Sequence, residues 1–170
     1  MKHTPESVLK QLQINQYAPV YFLQGEEPYY IDLISDYIEA NALDESQKSF
    51  NQFVIYGRDT TISDILTHAR RFPMMSDRQV VLVKEAQELP DLKKENAQKL
   101  LVNFLEQPAP STILVFCYKY KTIDKRKALG KAIEKAAIEV VTKKIYDNQI
   151  PPWIKDYIAA KDLEISEKAT

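Results

Sequence analysis

The feature that most constrains the fold of this 170-residue chain is a regular alternation between short apolar runs and amphipathic segments. Runs of four to seven mostly β-branched, aromatic or leucine residues predict buried strands, and apolar residues three and four positions apart predict helices. The predicted strands are 20–23, 50–56, 78–83, 112–118 and 138–142. The predicted helices are 5–14, 30–38, 62–69, 92–106 and 124–137, with Thr4, Thr61 and Asp124 as helix caps.

Strands that are separated by helices require crossover connections, which produce a parallel sheet with helices on both faces. We therefore expect a three-layer α/β domain with a five-stranded parallel sheet in residues 1–147. Pro151 and Pro152 mark a boundary. Residues 148–170 are expected to begin a second, helical region that continues beyond Thr170, since an isolated helix needs about 12 residues to be even marginally stable.

Glycine is scarce in this chain, and its positions exclude two kinds of nucleotide site. An average chain of this length has about 12 glycines, but this one has three: Gly25, Gly57 and Gly130. Phosphate-binding loops need glycines a few residues apart, because backbone N–H groups must approach the phosphate closely. Neither a Walker A loop nor a dinucleotide-binding loop fits these spacings.

The remaining composition favours a cytoplasmic protein without cofactors. The single cysteine, Cys117, excludes internal disulfides and is expected to be a core thiol. Two histidines make a histidine metal cluster unexpected. No apolar run approaches the roughly 18 residues that cross a membrane, and the N-terminus lacks the apolar segment of a signal peptide.

A pair of carboxylates, Glu26 and Glu27, follows the first predicted strand. Ligands of parallel α/β sheets bind beyond the carboxyl ends of strands, so this pair, with Lys143, could serve a Mg²⁺-dependent phosphotransfer or hydrolase reaction. The aspartate that a phosphoacceptor domain carries after its third strand is missing. The alternative is structural: the two acids favour the N-terminus of the next helix through its dipole.

Charge is unevenly distributed, although the net charge is only −1. Residues 26–47 carry seven acids and no base, whereas residues 119–144 carry nine Lys or Arg and three acids. The basic stretch could contact DNA phosphates, or it could be a solvated face. The candidate phosphate contacts are Lys119, Lys121, Lys125 and Arg126.

The segment 70–78 is the hardest to explain as scaffold. Phe72, Met74 and Met75 surround Pro73 between a predicted helix and a predicted strand. Bulky apolar groups in a surface loop indicate a binding surface, for which methionine is well suited. Alternatively, they fold back onto the core. The residues alone leave both interpretations open.

Three segments together resemble a known family. Residues 21–29, 71–81 and 112–116, in this order and spacing, resemble the N-terminal domain of the delta subunit of the bacterial DNA polymerase III clamp loader. The resemblance implies an AAA+-like fold of the P-loop NTPase type, in which Gly25, Glu26 and Glu27 replace the phosphate-binding loop, so that no cofactor is expected. It also implies that residues 148–170 begin a helical lid.

The same resemblance implies a function. The family binds the sliding clamp, the beta subunit, and opens its ring for loading on primed DNA without hydrolysing ATP itself. It acts with other clamp-loader subunits and reaches DNA through that complex. Its clamp contact is a pair of adjacent bulky apolar residues before the third strand, which falls on Met74 and Met75, with Phe72 and Pro73 shaping the tip. Methionines stand here where the family often has leucine and phenylalanine.

Overall fold

The computed structural model describes residues 2–143, which form one parallel sheet with helices on both faces. The five predicted strands are present, and the α/β fold class is confirmed. A sixth strand of two residues joins the sheet at one edge. The strands are β1 (Lys2–His3), β2 (Val20–Gly25), β3 (Gln52–Tyr56), β4 (Gln79–Lys84), β5 (Thr112–Lys119) and β6 (Ile138–Thr142).

Six α-helices alternate with these strands in the described residues. They are α1 (Pro5–Gln13), α2 (Pro28–Asn41), α3 (Glu45–Asn51), α4 (Ile62–Ala69), α5 (Glu95–Glu106) and α6 (Ala128–Ala136). The strand order is β1-β6-β2-β5-β4-β3, and every neighbouring pair is parallel. β3 is therefore an edge strand, and β2 and β5 lie at the centre.

The apolar residues of the central strands divide between two cores because side chains alternate along a strand. On one face, Val20 and Phe22 pack with residues of α4, α5 and α6. On the other face, Tyr21 and Leu23 pack with residues of α1 and α2. This double coverage explains why β2 and β5 are continuously apolar and confirms the three layers.

The predicted caps of two helices are present. The Thr4 side chain accepts a hydrogen bond from the Ser7 N–H (3.1 Å) at the start of α1. The Thr61 hydroxyl accepts one from the Asp64 N–H (3.2 Å) at the start of α4. Both bonds satisfy donors that have no partner within the helix.

The predicted start of α6 at Asp124 is wrong by four residues. Asp124 instead accepts hydrogen bonds from the backbone N–H and the guanidinium of Arg126 (2.9–3.1 Å) within a local turn, and the helix begins at Ala128. Likewise α5 begins at Glu95 rather than at residue 92. Aspartate readily forms such turns, so its position alone does not fix a helix start.

The short helix α3 was not predicted, and part of it was assigned to a strand. The strand prediction began at Phe50, but the chain remains helical through Asn51. α3 has seven residues, of which only Phe50 is apolar, so it has no helical periodicity to detect. The predicted boundary at residue 147 and the predicted helical region 148–170 lie outside the described residues.

Candidate functional site

The tip, which we define as residues 72–75, connects α4 to β4 and projects apolar side chains into solvent. Phe72 is 87% exposed, Met74 61% and Met75 100%, and Pro73 is half-buried. The alternative in which these side chains fold back onto the core is therefore wrong for Phe72, Met74 and Met75. A cluster of exposed large apolar residues is unusual on a protein surface and is a common feature of interaction sites.

The backbone of the tip is fixed from one side by Asn51, the last residue of α3. The Asn51 Oδ1 accepts a hydrogen bond from the Met74 N–H (2.6 Å), and its Nδ2 donates to the Met74 carbonyl (2.8 Å). The Asn51 side chain is buried, with the residue 1% exposed. A buried carboxamide that hydrogen-bonds to both the N–H and the carbonyl of one residue holds the backbone of that residue in place.

Gln79, the first residue of β4, fixes the base of the tip. Its Nε2 donates to the carbonyls of Arg71 (2.8 Å) and His68 (2.9 Å) at the C-terminal end of α4. The neighbouring Thr112 hydroxyl donates to the Ala69 carbonyl (2.6 Å). Carbonyls at a helix C-terminus lack partners within the helix, so this buried pair of polar side chains terminates α4 and anchors the chain that leaves it.

The far side of the tip is held by Arg78. Its guanidinium lies 4.4 Å from the centre of the Tyr17 ring and donates to the Asn15 Oδ1 (3.1 Å). The Ser76 hydroxyl donates to the Arg78 carbonyl (2.9 Å). Burial raises the pKa of Tyr17, and the Arg78 charge opposes this shift. Hydrogen bonds thus fix the backbone on both sides of the tip, whereas the side chains of Phe72, Met74 and Met75 remain exposed.

Met75 adopts a left-handed backbone conformation with φ of 56°. For a residue with a Cβ this conformation costs about 1–2 kcal/mol. Strained backbone of this kind persists where the surrounding structure fixes it and is frequent at binding sites. Here the turn at Met75 leaves its side chain wholly in solvent.

The second candidate site, the position of a phosphate loop after β2, is filled by the protein's own backbone. The Glu26 N–H donates to the Thr142 carbonyl (3.2 Å), and the Thr142 hydroxyl donates to the Glu27 carbonyl (2.8 Å). Gly25 has φ of 132°, and a Cβ there would overlap the Thr142 backbone. Gly25 is therefore required for close packing against β6.

The first two positions of α2 also offer no free N–H group. Pro28 has no N–H, and the Glu27 carboxylate accepts the hydrogen bond of the Tyr29 N–H (3.0 Å). Glu27 is thus the N-cap of α2, as the structural interpretation of this pair predicted. Phosphate loops bind through such N–H groups, and here those of Glu26 and Tyr29 already have acceptors within the domain.

The Mg²⁺-dependent interpretation involves Glu26, Glu27 and Lys143. Among residues 2–143, no group of three or more His, Cys, Asp or Glu side chains is placed to hold a metal ion. Glu27 is engaged as a helix cap, and Lys143 is exposed.

Cys117 is fully buried in β5, where burial raises the pKa of its thiol to about 11.

Three of the four predicted phosphate contacts form ion pairs within the domain. Lys119 Nζ lies 2.8 Å from Asp32 and 3.3 Å from Glu85, and its side chain is only 12% exposed. Burial opposes the charged form of Lys119, but the bonds to Asp32 and Glu85 outweigh it and raise the lysine pKa.

The other members of this group differ in exposure. Lys125 lies 3.3 Å from the buried Glu139 carboxylate, and Arg126 pairs with Asp124 on the surface. Lys121 is exposed. A role of Lys121, Lys125 or Arg126 in DNA contact stays a prediction, whereas Lys119 points its charge into the domain.

Asn51 and Gln79 are the site residues that the sequence did not reveal. Asn51 directly precedes β3 and Gln79 begins β4, and each bonds to backbone groups at least eight residues away. The only signal in the sequence was a polar residue at or just before the start of an apolar strand. Such a residue can be either exposed or buried, so the signal does not identify a site residue.

Comparisons with known proteins agree with this architecture. Residues 21–143 match the profile of the family described as DNA polymerase III, delta subunit. The DNA polymerase III subunit delta of Bacillus subtilis is 31% identical over 142 residues, which are 81% of this chain and 41% of the relative. The chain therefore spans less than half the length of the curated relative it matches.

Solved structures give the same result. The DNA clamp loader delta protein of B. subtilis superposes with a TM-score of 0.74 at 27% identity, covering 86% of this chain and 44% of that one. A DNA polymerase III gamma subunit-related protein of Thermotoga maritima superposes with a TM-score of 0.53 at 19% identity, covering 91% of this chain and 48% of that one, and shares the fold. Within residues 2–143, no helix is long and apolar enough to cross a membrane. The chain belongs to the DNA polymerase III delta subunit family.

Proposed function

We propose that this chain is the part of a clamp-loader delta subunit that binds the sliding clamp and holds its ring open during DNA replication. Met74 and Met75 are the clamp-binding residues, and Phe72 and Pro73 shape the tip. The observation that carries the proposal is the exposure of Phe72, Met74 and Met75 on a backbone that buried hydrogen bonds fix. Membership of the delta subunit family supports the choice of partner.

The energetics of such a contact are adequate. Burying one methionine side chain contributes roughly 1.5–3 kcal/mol. Two methionines with surrounding contacts can reach micromolar affinity, which corresponds to about −8 kcal/mol after the cost of association. Because the tip is already ordered, the clamp does not have to order it, and less of the interaction free energy is lost on binding.

Ring opening follows from differential affinity. A protein that binds the open ring more tightly than the closed ring shifts the population towards the open form, without a covalent step. This chain has no intrinsic ATPase activity in our proposal, since the N–H groups of Glu26 and Tyr29 are used within the domain. Nucleotide acts through other subunits of the clamp loader, and DNA is reached through the assembled complex.

Binding measurements on the tip test this proposal. The double variant Met74→Ala/Met75→Ala of the full chain is expected to bind the sliding clamp from the same organism at least about tenfold more weakly, with an unchanged unfolding temperature. Leu100→Ala is the matched control, because Leu100 is an exposed apolar residue (41%) on α5 rather than at the tip. Equal affinity of the double variant and the unaltered chain would refute the assignment.

A further inference from the structure

The buried side chain of Asn51 connects α3 to the tip. Its carboxamide pairs with both backbone groups of Met74, at 2.6 Å to the N–H and 2.8 Å to the carbonyl. The same Nδ2 donates to the Gln47 carbonyl (3.1 Å), which ties the carboxamide to its own helix. Three hydrogen bonds therefore orient a side chain that is almost fully buried.

This pairing requires a side chain that donates and accepts at once. A carboxamide does both, whereas a carboxylate only accepts. The substitution Asn51→Asp would place a second acceptor against the Met74 carbonyl. The substitution Asn51→Ala would leave the N–H and the carbonyl of Met74 without these partners. Unsatisfied buried groups are costly in either case.

The consequence concerns the residue that follows. Met75 sits in the left-handed conformation directly after the residue that Asn51 holds. Without the Asn51 hydrogen bonds, fewer contacts maintain the strained turn, and the exposed methionine side chains can adopt other orientations.

We propose that Asn51 is a positioning residue of the clamp-binding tip: it fixes Met74 and Met75 in their binding arrangement before the clamp arrives. This inference rests on the proposed function. Its physical basis is pre-organisation, since a tip that is ordered in the free protein loses less conformational entropy on binding.

The first test measures tip order without any clamp. In the full chain, the Met74 amide is expected to exchange with solvent at least about 100-fold more slowly than in an unstructured peptide, because its N–H is bonded to a buried oxygen. Asn51→Ala, which removes the acceptor of the Met74 N–H, should abolish most of that protection while core amides of β5 keep theirs. Exchange of Met74 at the peptide rate in the unaltered chain would overturn the inference without any variant.

The second test measures clamp affinity with matched variants. Asn51→Asp and Asn51→Ala are each expected to weaken clamp binding about tenfold. Asn96→Asp is the control, because Asn96 is exposed in the first turn of α5 rather than beside the tip. Asn96→Asp should leave affinity unchanged. Affinity that is also unchanged in both Asn51 variants would overturn the inference.

A double-mutant cycle separates positioning from a general loss of stability. If Asn51 acts through the tip, its substitution should cost about tenfold in the unaltered chain but at most about threefold in a Met75→Ala background. Equal losses in both backgrounds would overturn the inference. Failure of the proposed function is distinct: there, Met74→Ala/Met75→Ala binds the clamp normally, whatever the exchange rate of the Met74 amide.

Discussion

Individual residues in and around the tip divide between those that project into solvent and those that hold them in place. Met75 combines full exposure with a strained backbone, and both features oppose stability of the isolated domain. Asn51 and Gln79 are buried polar residues whose hydrogen bonds maintain that arrangement. The conformation of the exposed tip is thus maintained by buried residues outside it.

A residue-scale prediction concerns Cys117, whose pKa burial raises from 9.0 to about 11, against the opposing charge of Lys84. Between these values the unfolded chain loses the thiol proton and the folded chain keeps it. Stability is therefore intact below pH 9 and falls as pH rises from 9 to 11, by at most about 1.4 kcal/mol per pH unit from this group.

Urea denaturation at pH 8, 9 and 10 measures this effect. Other groups with raised pKa values, including Tyr21 and Lys119, are present in both proteins, so the difference between the unaltered chain and Cys117→Ala isolates the thiol. Cys117→Ala should lose less stability between pH 9 and 10. Parallel slopes for the two proteins would contradict this role of the buried thiol.

At the scale of elements, α4 is the support of the site because it is fixed at both ends. Asp91 accepts hydrogen bonds from the Ile62 N–H (3.1 Å) at its start, in addition to the Thr61 cap. Gln79 and Thr112 satisfy the carbonyls at its end. The tip therefore continues from a helix whose position the sheet determines.

The prediction at this scale is that Gln79→Ala destabilises the domain by about 1–3 kcal/mol, because it leaves buried carbonyls of α4 without donors. Chemical denaturation measures the change. Gln98→Ala is the matched control, since the half-buried Gln98 amide donates to the carbonyl of Leu92 (2.9 Å) and not to α4. A loss no larger for Gln79→Ala than for Gln98→Ala would contradict this role.

The accuracy of sequence prediction also varies by element. β6 was predicted with its observed bounds and β5 within one residue, because continuous β-branched and aromatic runs leave few alternatives. α3 and β1 were missed, since seven largely polar residues and a two-residue strand carry no periodicity. The start of α6 was misplaced because Asp124 forms a turn with Arg126 instead.

The candidate site was predictable only where local sequence patterns determine it. Apolar residues around a proline indicated an unusual loop, but the sequence did not reveal that Asn51 of α3 bonds to the backbone of Met74. The partner of a buried amide such as Asn51 lies 23 residues away and is decided by tertiary packing. Spacing along the chain contains no such information.

At the scale of the whole molecule, the domain has the fold of a nucleotide-binding ATPase-like protein with its loop position closed. Gly25 packs against Thr142, and Glu27 caps α2. Lys119, at the end of β5, is bound to Asp32 and Glu85. The carboxyl edge of the sheet is thus occupied by internal contacts, whereas the opposite end carries the exposed tip.

The central claim is that this chain opens the clamp by binding alone. The direct measurement is fluorescence energy transfer between two dyes placed across one subunit interface of the sliding clamp, on addition of the full chain without nucleotide. We expect lower transfer in the absence of ATP, no further change with ATP and Mg²⁺, and no change with Met74→Ala/Met75→Ala. Unchanged transfer with the unaltered chain, or a decrease that the double variant also produces, would contradict the claim.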